Sequence, residues 1–258
     1  MNTFTNNSRE FKDLIKIKSD KSFHDYLIYD AIERYKFLMH ANDNLGAILA
    51  IGAGYSEVTT FINYNFSDIT ISGFSEPSVE LSEYLNADNR IKCIKNNIEN
   101  LNINSQSYDI VFCKEALHHV ARPVLGFYEM LRVCRKAAII IEPYDTFVGT
   151  LLEGLKLSSV YEKNQRGNIN ERNNYVFRWN KRLLKKLLNS YYLESGYKVD
   201  LTLGWLSGKV LIEKPYYKRL LSILAGEIIS LIPYSRGNYM TAIIIPGKDI
   251  PADPNPFA

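Results

Sequence analysis

The 258-residue chain has only three cysteines, four histidines and two tryptophans, and neither sign of charge dominates it, with 31 lysines and arginines against 28 acids. Cys93, Cys113 and Cys134 are too few and too far apart for a disulfide framework, and they show neither CxxC nor Cys/His ligand spacing. Each lies in or beside an apolar run, so buried free thiols are expected and no metal is. An odd thiol count, with polar and charged residues from Met1 to Lys21 where a secretory leader would be apolar, points to a cytoplasmic protein. No run reaches the ~18–20 apolar residues that an integral membrane helix needs. A net charge of +3 with interspersed signs provides no basic stripe for nucleic acid. The composition, 46% hydrophobic and 23% charged, suits a globular core that needs no staples.

What the chain does have is a repeated order of short apolar run and helix. Gly46–Ile51 is continuously apolar and ends in Gly52-Ala53-Gly54, as a strand buried on both faces would. Further strands are predicted at Ile69–Phe74, Ile91–Lys95, Tyr108–Cys113 and Ala137–Ile141, with helices at Ser78–Asn86 and about Pro123–Val133. Such alternation implies right-handed crossovers and a mostly parallel α/β sheet with helices on both faces. Residues 8–41 read as one or two helices in front of the first strand, giving an N-terminal helical cap over 1–44. The main domain is expected over 45–250, with a lid-like insertion around 145–195 in which Phe147–Tyr161 is helical and Glu162–Asn174 a polar loop. Helix at Asn180–Leu193, strand at Tyr197–Leu203, an apolar helix at Tyr216–Ile232 and a last strand at Tyr239–Ile245 follow, before a proline-rich tail over 251–258.

Glycines between a buried strand and a helix let backbone N–H groups approach a ligand. Gly52-Ala53-Gly54-Tyr55-Ser56 is such a turn, but it lacks the GxGxxG spacing of a dinucleotide site. After the second strand, Glu76 before Pro77 either accepts the two ribose hydroxyls of a nucleoside or sits as an acid at a helix N-terminus. Asn97-Ile98-Glu99 follows the third strand and offers a side-chain amide and backbone N–H to an adenine edge.

With these segments in order, the chain resembles class I S-adenosylmethionine (SAM)-dependent methyltransferases of the small-molecule, ubiquinone-biosynthesis-like branch. Leu49-Ala50-Ile51-Gly52-Ala53-Gly54 and Gly73-Phe74-Ser75-Glu76-Pro77-Ser78 are similar to the first two family motifs. Asn97–Leu101 with Ser107–Val111 is similar to the third, and Ala116-Leu117-His118-His119-Val120 and Glu129-Met130-Leu131-Arg132-Val133 to the next strand exit and helix. The resemblance spans about residues 45–145. It implies a Rossmann-like sheet of seven strands, the last antiparallel, and SAM as cofactor. By the same resemblance Gly52, Ala53, Gly54 and Tyr55 line the methionine and ribose, Glu76 with Pro77 the ribose, and Asn97 with Ile98 the adenine. Lys114 and Glu115 are then placed beside the methionyl tail and the substrate. Two positions depart from the pattern: Ala50 stands where the family has an acid near the methionine ammonium, and Asn97 where it has Asp.

Methyl transfer to a hydroxyl benefits from a general base, and histidine is suited to that near neutral pH. His118 and His119 at the exit of the fourth strand are the candidates, with His119 preferred. Glu142 at the next strand exit either contacts substrate or holds a helix N-terminus. The mix of Arg166, Arg172, Arg178 and Lys181 with Tyr175, Phe177 and Trp179 reads as an anion or sugar clamp or as an ordinary polar connection. The expected activity is O-methylation of a small metabolite such as a sugar, glycan precursor or secondary metabolite, with a homodimer as the candidate assembly. The alternatives are a non-catalytic protein of this fold or other chemistry at the SAM site. Nucleic-acid methylation fits poorly, since Cys113-Lys114-Glu115-Ala116 replaces the Asn/Asp-Pro-Pro-Tyr signature.

Overall fold

A computed structural model describes residues 3–5, 23–41, 44–53, 55–73, 88–146, 161–162, 174–192, 196–204 and 237–247. The helices expected at Ser78–Asn86 and Tyr216–Ile232 and the tail at 251–258 lie outside these residues, as does the one at Phe147–Tyr161 up to Tyr161. The strands are β1 (Thr3–Thr5), β2 (Ala47–Ile51), β3 (Asp68–Gly73), β4 (Ile91–Lys95), β5 (Tyr108–Lys114), β6 (Cys134–Pro143), β7 (Tyr161–Glu162), β8 (Asn174–Tyr175), β9 (Tyr197–Gly204) and β10 (Tyr239–Pro246). The described helices, numbered here in chain order, are α1 (Phe23–Met39), α2 (Tyr55–Asn63), α3 (Pro123–Val133) and α4 (Lys181–Tyr192), with a 3₁₀ turn at Leu117–His119.

Eight strands form one sheet in the order β1-β9-β10-β6-β5-β2-β3-β4. The run β4-β3-β2-β5-β6 is parallel, and β10 enters antiparallel between β6 and β9. Seven of these are the strands of the expected Rossmann-like α/β fold. The eighth, β1, adds a parallel edge beside β9, in a segment where polar sequence promised only a helical cap. β7 and β8 pair antiparallel in a small sheet of their own, so the ends of the polar Glu162–Asn174 loop are clasped together.

Side chains alternate across a strand, so a sheet covered on both faces buries odd and even positions alike. Ile48, Ala50, Ile110, Phe112, Ala137, Ile139 and Ile141 face one layer with Ile28, Ile32 and Tyr35 of α1 and Val58 and Phe61 of α2. Leu49, Ile51, Val111, Cys113, Ala138 and Ile140 face the other with Phe127, Met130 and Leu131 of α3 and Leu184 and Leu188 of α4. Each Ile, Leu, Val, Phe or Met among them, taken fully out of water, contributes about 1.5–3 kcal/mol. α1 is further pinned by charge: Arg34 reaches Asp200 of β9, Nε to Oδ2 at 2.8 Å, and also contacts Thr202. Asn180 caps α4 by accepting the Leu183 N–H at 2.8 Å, and the fully buried Trp179 before it bonds through its backbone to Pro143 and Asp145 at the end of β6.

Candidate active site

The sheet order reverses direction between β2 and β5: from β2 the chain proceeds to β3 on one side, while β5 and β6 lie on the other. A crevice opens at the carboxyl ends of strands where connections diverge in this way. Register brings the exits level, with Ile51 opposite both Ser72 and Cys113, and Lys114 opposite Ile141. Gly52, Lys114 and Glu142 therefore share one end of the sheet.

Gly52 has φ +66°, a left-handed value that favours glycine, and donates its N–H to Ser72 O at 2.8 Å. A β-carbon at this position would lie 2.5 Å from the Ala116 β-carbon. The turn thus passes the β5 exit with bare backbone. Ala53 follows, half-buried. Tyr55 opens α2, its side chain outside the described residues, where Gly54, Glu76 and Pro77 also fall.

At the β5 exit, Lys114 Nζ sits 3.1 Å from Glu57 Oε1 and 2.9 Å from Glu115 Oε2. Burial by itself would lower the lysine pKa, but the carboxylates of Glu115 and Glu57 outweigh it and hold the pKa above its ordinary value. Glu115 takes a φ of +52° and accepts the Tyr239 hydroxyl at 2.5 Å. The ammonium of Lys114 thus sits between two carboxylates at the β5 exit. Glu57 and Tyr239 were not legible as site residues. Glu57 stands in the first turn of α2, where an acid is ordinary, and Tyr239 is 124 positions from its partner.

Asn97 is exposed and its Oδ1 accepts the Glu99 N–H at 3.0 Å, closing an Asx turn. The Ile98 side chain packs into the core beside Leu117 and Gly126 rather than outward. Glu99 takes the Arg122 N–H at 2.6 Å ahead of Pro123, the first residue of α3. The Glu129 and Arg132 pair of the resemblance clamps the connection before β5: Glu129 accepts the Leu101 N–H, and Arg132 donates to the carbonyls of Leu101 and Ile103.

The two histidines separate. His118 is 2% exposed and its Nδ1 lies 2.6 Å from Oε2 of the wholly buried Glu142. His119 is exposed, its ring centroid 4.1 Å from that of His118. Glu142 Oε1 accepts the N–H groups of Ala116 and Leu117 at 3.0 and 2.9 Å, so this acid holds the start of the 3₁₀ turn. Burial, reinforced by Glu142, pushes the Cys113 thiol well up, and burial lifts Cys134 to about 12, which leaves both unreactive. Trp179 is buried between Phe127 and Phe177, a core residue rather than one arm of a clamp. Arg166 and Arg172 lie outside the described residues. Among the described residues no three His, Cys, Asp or Glu side chains gather as a metal site, and no helix is long and apolar enough to cross a membrane.

Residues 49–141 match a family model described as "Methyltransferase domain", whereas no curated protein matches the chain. Solved structures with the same fold include a chain from the complex between the Haloferax volcanii Trm112 methyltransferase activator and a methyltransferase. It has 12% identity and a TM-score of 0.56 over 93% of this chain and 97% of that one. Magnesium protoporphyrin IX methyltransferase from Synechocystis PCC 6803, solved with bound S-adenosylhomocysteine (SAH), has 12% identity and a TM-score of 0.52 over 93% and 89%. The plantazolicin methyltransferase BamL, solved with a triazolic desmethylPZN analog and SAH, has 16% identity and a TM-score of 0.54 over 92% and 91%. Residues 49–141 thus match a methyltransferase domain, on the fold these structures share, and the cofactor such a domain uses is S-adenosylmethionine.

Proposed function

We infer that this protein methylates a hydroxyl of a small metabolite, in the manner of the ubiquinone-biosynthesis-like branch, with the proton received by the His118–His119 pair. The observation that carries the reading is the position of the pair. The 3₁₀ turn bearing both rings begins next to Ala116, the residue packed against the bare backbone of Gly52. A proton acceptor is thereby held within a few residues of the cofactor cradle.

SAM, when bound, supplies an electrophilic methyl group on a sulfonium. The chain's own part is placement and proton removal. Gly52, Ala53 and Gly54 admit the methionine and ribose, Tyr55 opens the helix above them, Glu76 and Pro77 meet the ribose, and Asn97 and Ile98 approach the adenine. Glu115 contributes the negative charge that Ala50 lacks, with Lys114 and Glu57 fixing its position. A histidine nitrogen takes the acceptor's hydroxyl proton as the oxygen attacks, so no alkoxide forms free in water. A sugar, a glycan precursor or a secondary metabolite fits these groups. The reading includes a cytoplasmic enzyme with a homodimer as the candidate assembly, which sedimentation would test.

Calorimetric titration with SAM and SAH is the first test. Micromolar binding of both, followed by transfer of labelled methyl to members of a hydroxylated-metabolite panel, is the expected result. A second reading, a binding protein of this fold without turnover, is favoured by Ala50 and by the engagement of Asn97 Oδ1 in its own turn. Absence of binding by either ligand would favour it.

A further inference from the structure

α4 (Lys181–Tyr192) contains no Asp or Glu. Leu184, Leu188, Tyr191 and Tyr192 are buried in the core, while Lys181, Arg182, Lys185 and Lys186 share the opposite, exposed face at i, i+4 spacing. We propose that this basic face is a docking surface for an anionic phospholipid bilayer, placed so that the ligand end of the sheet meets the lipid.

The arrangement works against the helix that carries it. Lys181 and Arg182 stand in the first turn, where the helix dipole favours acids and disfavours cations. Lys181 with Lys185, and Arg182 with Lys186, set like charges one turn apart, which is also unfavourable. Among the described residues no ion pair engages Arg182, Lys185 or Lys186. Other exposed cations do find acids: Lys92 pairs with Asp68, Arg122 with Glu99, and Arg135 and Lys136 with Asp109. A cationic face that its own protein leaves uncompensated is complementary to an anionic partner.

Shape and place select that partner. From Lys181 to Lys186 the helix advances about 7.5 Å, so the charges form a compact patch rather than a stripe that tracks a nucleic-acid backbone. A bilayer presents its anionic headgroups in a plane, and each Lys or Arg held near it strengthens binding about fivefold, or about 1 kcal/mol. Attachment of this kind is reversible and weakened by salt. α4 also starts at the ligand end of the sheet. Lys181 donates its N–H to the Tyr144 hydroxyl at 3.3 Å, and Trp179 bonds through its backbone to Pro143 and Asp145 at the β6 exit. The chain leaves the sheet at Gly204 and rejoins it at Asn238, whose N–H meets the Gly204 carbonyl at 3.1 Å on this same end. The intervening residues 205–236 lie outside the described structure, but their sequence includes Leu220–Ile232, in which Glu227 is the one charge. Basic and apolar sequence brought to one end of the sheet suits a lipid interface better than a nucleic acid.

The test is co-sedimentation of the full chain with vesicles of phosphatidylcholine, alone or with about 30% phosphatidylglycerol, at low and high salt. Wild type is compared with Lys185→Gln/Lys186→Gln, Lys185→Arg/Lys186→Arg and a control of equal net charge, Lys92→Gln/Lys198→Gln. The expected result is wild-type binding to the anionic vesicles only, lost at high salt. The glutamine pair at 185 and 186 should weaken it about twentyfold, the arginine pair should retain it, and the control pair should change it far less. Because the lysines oppose their neighbours, the glutamine pair should melt no lower than wild type, which separates lost binding from lost folding. Arg182→Gln, expected to weaken binding about fivefold, decides the matter should the pair not fold. Equal binding to neutral vesicles, equal weakening by the control pair, no effect of the glutamine pair, or binding to neither vesicle would each overturn the proposal. Capture of a single-stranded oligonucleotide in place of the anionic vesicles would overturn it in favour of nucleic acid. Neither cofactor nor acceptor enters the assay, so its outcome is independent of the methyl-transfer reading.

Discussion

Gly52 and Ala116 approach so closely that a β-carbon built on the glycine falls 2.5 Å from that of the alanine. With φ at +66°, position 52 is also strained for any side chain. Gly52→Ala must therefore push the turn away from the β5 exit or rotate it out of the left-handed region. The expected outcome is a loss of SAH affinity of tenfold or more, roughly 1.4 kcal/mol, with a smaller drop in melting temperature. Calorimetry and thermal denaturation on the same preparation check both. Unchanged affinity would move the cofactor away from this turn.

The strand–helix order was readable because buried strands write themselves as unbroken apolar runs. Ile91–Lys95 and the helix Pro123–Val133 lie where the sequence analysis puts them, and β10 extends Tyr239–Ile245 by one residue. Thr3–Thr5 was not readable, since an edge strand of three residues carries no periodicity and takes its order from the partner β9. The glycine turn and the histidine pair announced themselves as motifs. What they touch did not: Glu142 meets His118 across 24 positions and Lys114 meets Glu57 across 57, and only the folded register sets such pairs.

Arg34 and Asp200 form a buried ion pair, Nη2 to Oδ2 at 2.6 Å with side chains 7% and 1% exposed, that fastens α1 to β9. Removing one partner leaves the other charge without compensation. Arg34→Met is expected to cost about 3–5 kcal/mol of stability, and Arg34→Met with Asp200→Leu less than the single change. Urea denaturation of wild type, Arg34→Met, Asp200→Leu and the double variant would measure it. A double variant that loses as much as the two single changes added together, or more, would contradict this coupling.

Asp109 gives stability a defined dependence on acid. Burial would raise its pKa, but the Arg135 guanidinium, the Ala47 N–H and Lys136 outweigh burial and hold it below the usual aspartate range. A pKa lowered on folding means that the unfolded chain binds the proton more readily. The contribution is then complete above the ordinary value near 4 and is lost as pH falls through the lower folded value. Asp109→Asn should lower the urea midpoint at neutral pH, and the gap to wild type should close as pH falls from about 4 through the lowered folded value. A gap constant with pH would mean that the carboxylate's charge contributes nothing.

Glu115 offers the sharpest test of how the cofactor is held, because the charge missing at Ala50 has to be found elsewhere. Lys114, 2.9 Å away, and the Tyr239 hydroxyl at 2.5 Å fix the carboxylate beside the glycine turn. Replacing it with an amide keeps the shape and the tyrosine contact while removing the charge. Glu115→Gln should therefore weaken SAH, which carries an amino-acid ammonium, by about tenfold. Methylthioadenosine has the same nucleoside and thioether but no ammonium, and its affinity should change by less than twofold. Equal losses for the two ligands would mean that Glu115 shapes the turn rather than pairing the ammonium. No loss for either would mean that Glu115 takes no part in holding the cofactor.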